Sequence, residues 1–166
     1  QLPRLRGQGM SFAPLVLFDL DGTLVDSAVD LLNAINVLAA REGHAPTTLE
    51  KLRPVVSKGA RAMLAITFPD YDEARREALR QSFLDIYEAA VSAHSTPFEG
   101  VEEVLAEVEA AGARWGIVSN KPHYLCVAVV AAMGWNERCA VLLGGDSLPQ
   151  RKPDPEPLWH ACAECG

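Results

Sequence analysis

The stretch VLFDLDGTL at residues 16–24 constrains the fold of this chain more than any other. It begins as an apolar run, which is typical of a strand buried on both faces, and it ends in two aspartates one residue apart. Ligands of open α/β sheets bind at the carboxyl ends of the strands. Folding gives no reason for two carboxylates at such a position. We therefore expect Asp19 and Asp21 to lie where this chain carries out chemistry.

Hydrophobic periodicity divides the chain into an α/β part and an all-helical part. It predicts three strands, at residues 14–19, 114–118 and 140–143. It predicts four helices between the first strand and residue 97, at residues 29–42, 48–56, 60–68 and 72–93. It predicts three later helices, at residues 101–111, at residues 124–133, and after Asp154 as N-cap with Pro155 in the first position.

This pattern predicts the α/β fold class, with one inserted helical domain. The expected core consists of residues 10–25 and 98–166, and the expected insertion consists of residues 26–97. Residues 1–9 are basic but contain no apolar segment, so they do not resemble a secretory signal. We expect them to be a disordered extension.

Composition limits the classes of partner and compartment. The net charge of −7 argues against a nucleic-acid partner and against an anionic membrane surface. No apolar run approaches the roughly 20 residues that span a bilayer. A small anionic substrate is still possible, because a local cation or a metal ion can outweigh the overall sign. Four cysteines in 166 residues do not indicate a disulfide framework, so a cytoplasmic location is expected.

Polar side chains follow each of the three predicted strands. Ser119 and Asn120 follow the second strand, and Lys152 lies in the loop after the third. Two neighbouring carboxylates repel each other unless a cation lies between them, and Mg²⁺ prefers such oxygen ligands. A hydroxyl, an amide and a lysine nearby would bind a phosphoryl group. Each residue alone is a weak signal, but their joint order is specific.

These motifs resemble those of the haloacid dehalogenase superfamily. Residues 19–27 (DLDGTLVDS) resemble its first motif, residues 118–121 (VSNK) its second, and residues 144–147 (GGDS) with 151–155 (RKPDP) its third. The helical insertion has the position and size of the superfamily's C1-type cap. The resemblance implies a Rossmann-like core with a parallel sheet, here incomplete, and an inserted α-helical C1 cap.

The resemblance also implies roles for these residues. Asp19 would be the nucleophile that forms an aspartyl-phosphate, and Asp21 would be the general acid/base. Mg²⁺ would be held by the Asp19 carboxylate and the Asp21 backbone carbonyl. The phosphoryl group would be bound or supported by four residues: Ser119, Asn120, Lys152 and Thr23. Superfamily dehalogenases lack a carboxylate at the Asp21 position, so Asp21 favours phosphoryl transfer over cleavage of a carbon–halogen bond.

Two kinds of phosphatase within the superfamily are similar to this chain. Residues 144–158 look like phosphoglycolate phosphatases, whereas residues 56–63 and 94–100 look at least as much like N-acetylmuramic acid 6-phosphate phosphatases. Arg61, and with it Lys58, lies where C1 caps place their specificity loop. Either side chain could bind a carboxylate or a sugar hydroxyl of the substrate, or could belong to a solvated helix start. Arg61 is slightly favoured.

A fourth motif, an acidic pair after the next strand, completes the metal site in this superfamily. The sequence ends at Gly166, before such a strand. We expect a C-terminally truncated piece that binds Mg²⁺ poorly and has weak or no activity, or else a natural short form that self-associates through the open edge of the first strand. Two further alternatives are a sugar-phosphate mutase and an inactive phosphate-binding or oligomerising module.

Overall fold

A computed structural model describes residues 13–166 of this chain, so the expectation for residues 1–9 lies outside the described residues. In this part of the chain, the strands are β1 (Leu15–Phe18), β2 (Val25–Asp26), β3 (Thr96–Pro97), β4 (Arg114–Val118) and β5 (Cys139–Leu143). The α-helices are α1 (Ala28–Arg41), α2 (Leu49–Leu52), α3 (Ala60–Thr67), α4 (Glu73–Glu88), α5 (Val101–Ala110), α6 (His123–Ala132) and α7 (Glu156–Cys165). A 3₁₀ helix, Arg53–Lys58, connects α2 to α3.

The larger sheet is parallel and has the strand order β1-β4-β5. Its register pairs Phe18 of β1 with Ile117 of β4, and Val118 of β4 with Leu143 of β5. The carboxyl ends of all three strands therefore meet at one edge, as predicted from the apolar runs. β1 forms an outer strand of this sheet, so the expected self-association along it remains a prediction.

Four helices between β2 and β3 enclose an apolar core of their own, which includes Ile35, Leu64 and Phe83. A short antiparallel ribbon joins them to the sheet domain, with Val25 opposite Pro97 and Asp26 opposite Thr96. The sequence pattern missed this ribbon because two residues per strand are too few to show alternation. None of the helices described in residues 13–166 is both long and apolar enough to cross a membrane.

Three predicted helices differ from the structure in geometry, length or capping, whereas the bounds of the other four agree to within one residue. The expected helix at 48–56 changes to 3₁₀ geometry at Arg53, because Pro54 has no N–H to donate to an α-helical bond. The long helix α4 ends at Glu88 rather than at residue 93, and Ser92 has a left-handed φ of 60°. The last helix begins at Glu156, so Pro155 takes the N-cap position that was predicted for Asp154. The Asp154 side chain still accepts a hydrogen bond from the Glu156 amide.

A buried carboxylate fixes the segment that returns from the helices to the sheet. Asp30 lies in the first turn of α1 and is 4% exposed. Both of its oxygens accept from the His94 amide, and they also bind His94 Nδ1 at 2.8 Å and Ser95 Oγ at 2.6 Å. Asp30 therefore holds the chain just before β3.

Candidate active site

Asp19 lies directly after β1, at the edge where the parallel strands end. Its Oδ1 accepts a hydrogen bond from the Leu20 amide at 2.9 Å and lies 2.9 Å from Lys152 Nζ. Within residues 13–166, no described hydrogen bond or ion pair involves its Oδ2. The Asp19 side chain is 20% exposed, so one oxygen is fixed while the carboxylate stays accessible. This geometry suits a nucleophile.

The loops after β4 and β5 pack directly against each other, and this contact places Lys152. Asn120 Nδ2 donates to the Lys152 carbonyl at 3.2 Å, and the Gly145 amide donates to the Lys121 carbonyl at 2.8 Å. A Cβ at Gly145 would lie 2.3 Å from the Asn120 carbonyl oxygen, closer than any side chain allows. The glycine is therefore needed for this close approach.

A cavity of about 550 Å³ opens in front of Asp19. Its lining combines the ends of β1 and β4, the loop after β5 and the helical insertion, with Asp19, Asn120, Lys152, Pro153, Ser57 and Lys58. Asp19, Asn120, Lys152 and Lys58 thus come together as the sequence predicts. Ser119 is buried, and its Oγ accepts from the Lys121 amide. Thr23 is exposed on the turn after β1, and the phosphate-binding roles of Ser119 and Thr23 remain predictions.

Asp21 is buried beneath the helical insertion rather than exposed in the cavity. It is 5% exposed, and its Oδ1 accepts hydrogen bonds from Ser27 Oγ and from Lys121 Nζ, the latter at 2.8 Å. Lys121 Nζ also donates to the Tyr87 hydroxyl at 2.9 Å. Burial lowers the pKa of Lys121, but the Asp21 carboxylate outweighs it and holds that pKa above the ordinary value. Lys121 is therefore a charged ammonium paired with Asp21.

Sequence reasoning assigned no role to Lys121 or Tyr87. From the sequence alone, Lys121 looks like a solvated loop residue, and Tyr87 looks like an apolar residue on the inner face of a long helix. The available signal was the place of Lys121 in the strand-end motif VSNK. Burial raises the pKa of the Tyr87 hydroxyl, so this group stays protonated beside the ammonium.

A second cavity, of about 300 Å³, lies between the helical insertion and the loops after β4 and β5. Four of its lining residues are cationic: Lys58, Arg61, Arg80 and Arg151. Arg61 is already paired, because its guanidinium donates to both oxygens of Glu77 at 2.7 and 2.9 Å. Hydrogen bonds from Arg61 and Arg80 hold the pKa of Glu77 at about 2. Lys58 lines both cavities, which makes it a better candidate than Arg61 for contact with substrate.

The sequence model of the haloacid dehalogenase-like hydrolase family matches residues 16–166. This chain belongs to that family. The phosphoglycolate phosphatase of Xanthomonas campestris pv. campestris is 52% identical to it over 157 residues, which cover 95% of this chain and 71% of the relative. The N-acetylmuramic acid 6-phosphate phosphatase of Pseudomonas aeruginosa is 43% identical over 152 residues, which cover 91% and 67%.

Solved structures agree with this assignment to the haloacid dehalogenase-like hydrolases. A predicted phosphoglycolate phosphatase from Haemophilus somnus superposes with a TM-score of 0.80 at 26% identity, covering 91% of this chain and 71% of that one. The superfamily and the Rossmann-like fold with a parallel sheet, both predicted from the motifs, are confirmed.

Phosphatases of this hydrolase family generally use Mg²⁺, and two oxygens of this chain fit such an ion. One is the open Oδ2 of Asp19, and the other is the Asp21 backbone carbonyl, which accepts none of the hydrogen bonds described for residues 13–166. Both are hard oxygen donors of the kind that Mg²⁺ prefers. Among the described residues, no group of three or more acidic, histidine or cysteine side chains could surround a metal. These two oxygens would therefore form part of a magnesium site.

Proposed function

We propose that this chain carries the catalytic residues of a phosphomonoester hydrolase that acts on a small phosphorylated metabolite, as phosphoglycolate phosphatases do. The observation that carries the proposal is the geometry at Asp19. A carboxylate stands at the end of a parallel strand with one oxygen fixed by Lys152 and the Leu20 amide, and it borders a cavity large enough for a substrate. The identity of 52% to a phosphoglycolate phosphatase supports the same assignment.

The proposed reaction has two steps. Asp19 attacks phosphorus, the bond to the leaving alcohol oxygen breaks, and Asp21 gives that oxygen a proton. Water then attacks the aspartyl-phosphate, Asp21 takes its proton, and phosphate leaves. The Lys152 ammonium neutralises charge on the phosphoryl oxygens, a role that fits its distance of 2.9 Å from Asp19. Asn120 holds the Lys152 loop in place.

Mg²⁺ is the proposed cofactor of this reaction. The Asp19 carboxylate and the Asp21 carbonyl would contribute two of its oxygen ligands. When bound, it would neutralise negative charge on the transferred phosphoryl group.

A second candidate substrate is N-acetylmuramic acid 6-phosphate. A two-carbon glycolate group would occupy only a small part of the cavity of about 300 Å³ beside the site, whereas an acidic amino sugar would occupy much more of it. Lys58 borders this cavity and could meet the carboxylate of either substrate. The identity of 43% to a phosphatase for this sugar phosphate supports the candidate.

A phosphate-release assay tests both candidates. The full-length gene product is incubated with Mg²⁺ and either 2-phosphoglycolate or N-acetylmuramic acid 6-phosphate, and kcat/KM is compared. The proposal predicts release of free phosphate without a bisphosphate activator. Transfer that requires a bisphosphate would indicate a mutase instead, and binding of phosphate without turnover would indicate a binding module.

A further inference from the structure

A buried polar chain connects the helical insertion to Asp21. Tyr87 lies in α4 and is 1% exposed, and Lys121 lies in the loop between β4 and α6 and is 6% exposed. The Lys121 ammonium donates to the Tyr87 hydroxyl at 2.9 Å and to Asp21 Oδ1 at 2.8 Å. These three side chains come from three separate parts of the sequence. Through these two hydrogen bonds, the Lys121 ammonium joins α4 to Asp21.

The two oxygens of Asp21 have different surroundings. Oδ1 accepts hydrogen bonds from both Lys121 Nζ and Ser27 Oγ. No hydrogen bond or ion pair in residues 13–166 involves Oδ2. A carboxylate fixed through Oδ1 also holds Oδ2 at a defined position, as the exchange of a proton at that oxygen requires.

The surroundings offer the Lys121 ammonium few other hydrogen-bond acceptors. A void of about 20 Å³ beside it is lined, apart from Asp21, Lys121 and Tyr87, by apolar residues such as Met63 and Phe83. Among the described residues, only the Asp21 carboxylate and the Tyr87 hydroxyl accept hydrogen bonds from Lys121 Nζ. The Tyr87 hydroxyl is therefore the second point that sets the direction of the Lys121 side chain.

We propose that Lys121 and Tyr87 are positioning residues that fix the Asp21 carboxylate through Oδ1, so that Oδ2 serves the leaving alcohol. This inference rests on the proposed function. When the bond between phosphorus and the alcohol oxygen breaks, a proton passes from Oδ2 to that oxygen. In the second step, the proton of the attacking water returns to Oδ2. Both transfers depend on where Oδ2 points, and neither lysine nor tyrosine touches the substrate.

The test uses two substrates that differ in their need for a proton. The alkoxide that leaves a phosphorylated alkyl alcohol such as 2-phosphoglycolate must be protonated, whereas para-nitrophenolate is a stable anion. We expect Tyr87→Phe to lower kcat/KM for the alkyl phosphate by about fivefold, the equivalent of one hydrogen bond. For para-nitrophenyl phosphate, we expect a change of less than about twofold.

Two controls separate positioning from general loosening. Tyr71→Phe removes a hydroxyl from the same insertion at a ring that stacks on Phe68, and it should leave both rates unchanged. Adding Tyr87→Phe to Asp21→Asn should change nothing further, because the residue through which Tyr87 acts is then already lost. Lys121→Met keeps the length of the side chain but removes the ammonium. It should lower kcat/KM for the alkyl phosphate more than Tyr87→Phe does, and it should again affect para-nitrophenyl phosphate less.

Several results would overturn the inference. Equal losses with both substrates would show that Tyr87 supports only the fold, and no loss with either would show that Asp21 does not depend on it. An effect of Tyr87→Phe that persists in the Asp21→Asn background would also contradict it. If the unmodified gene product releases phosphate from neither substrate, the proposed function fails first, and the positioning role fails with it.

Discussion

Replacing Asp30 with asparagine should loosen the junction between the helical insertion and the sheet. Asp30 is nearly fully buried, and it accepts from the His94 amide, His94 Nδ1 and Ser95 Oγ. Asparagine has the same shape, but it offers one neutral acceptor and turns an amide donor toward groups that also donate. Losing two charge-assisted hydrogen bonds of about 1.5 kcal/mol each would cost about 3 kcal/mol. For a chain of this length, that loss corresponds to a fall in Tm of about 6–12 °C.

The pH dependence gives this prediction a second test. Burial raises the pKa of Asp30, but the hydrogen bonds from Ser95 and His94 outweigh it and hold the pKa below its ordinary value. A lowered pKa stabilises the fold above the unfolded-state pKa of about 4, and the stabilisation is lost as the pH falls through the folded-state pKa. The difference in the free energy of unfolding between the unmodified protein and Asp30→Asn should thus be largest at pH 7 and should shrink below about pH 4.

Urea unfolding followed by tryptophan fluorescence measures both effects. The exposed Asp85, whose side chain accepts a hydrogen bond from Gln81, provides the matched control Asp85→Asn, which should cost less than about 0.5 kcal/mol. A loss of stability for Asp30→Asn that is no larger than the loss for Asp85→Asn would refute the reasoning. A loss that stays constant from pH 7 to pH 3 would refute the role of the charge.

Two further predictions concern the loops around the site. Gly145→Ala should destabilise the protein by about 1–3 kcal/mol in urea unfolding and should slow phosphate release. The reason is that the new Cβ would clash with the Asn120 carbonyl and displace the loop that leads to Lys152. Unchanged stability and an unchanged rate would contradict that contact. Lys58→Gln should raise KM for a substrate with a carboxylate about fivefold at similar kcat, whereas Lys51→Gln on the outer face of the insertion should not. Equal KM values for the two variants would remove Lys58 from the substrate site.

The sequence predicts the sheet and the residues at its edge well. Residues 114–118 form a strand with the predicted bounds. A short apolar run between two helices is typically a buried strand in an α/β fold. Asp19 and Lys152 are far apart in the sequence, yet the structure places Nζ 2.9 Å from the carboxylate, as the strand-end rule predicts. Alternation of elements and strand direction suffice for these inferences.

The sequence does not predict the contacts that helices of the insertion make with side chains far along the chain. Nothing in the sequence shows that α4 covers Lys121. The sequence around a buried lysine therefore looks the same as the sequence around a solvated one. Contacts between two helices of the insertion are equally hard to predict: the sequence slightly favours Arg61 for substrate binding, but Glu77 of α4 accepts hydrogen bonds from Nε and Nη2 along one edge of its guanidinium. Such pairings depend on how helices cross, and side-chain periodicity alone does not determine that.

The covalent role of Asp19 is the central claim, and one substitution tests it directly. Phosphate release by the full-length gene product is measured for the unmodified protein, for Asp19→Asn, and for Asp70→Asn, which alters an exposed carboxylate in the insertion. Loss of the nucleophile should lower kcat by more than about a thousandfold, while the Asp70 variant keeps its rate. Turnover by Asp19→Asn at a rate close to that of the unmodified protein would contradict the mechanism.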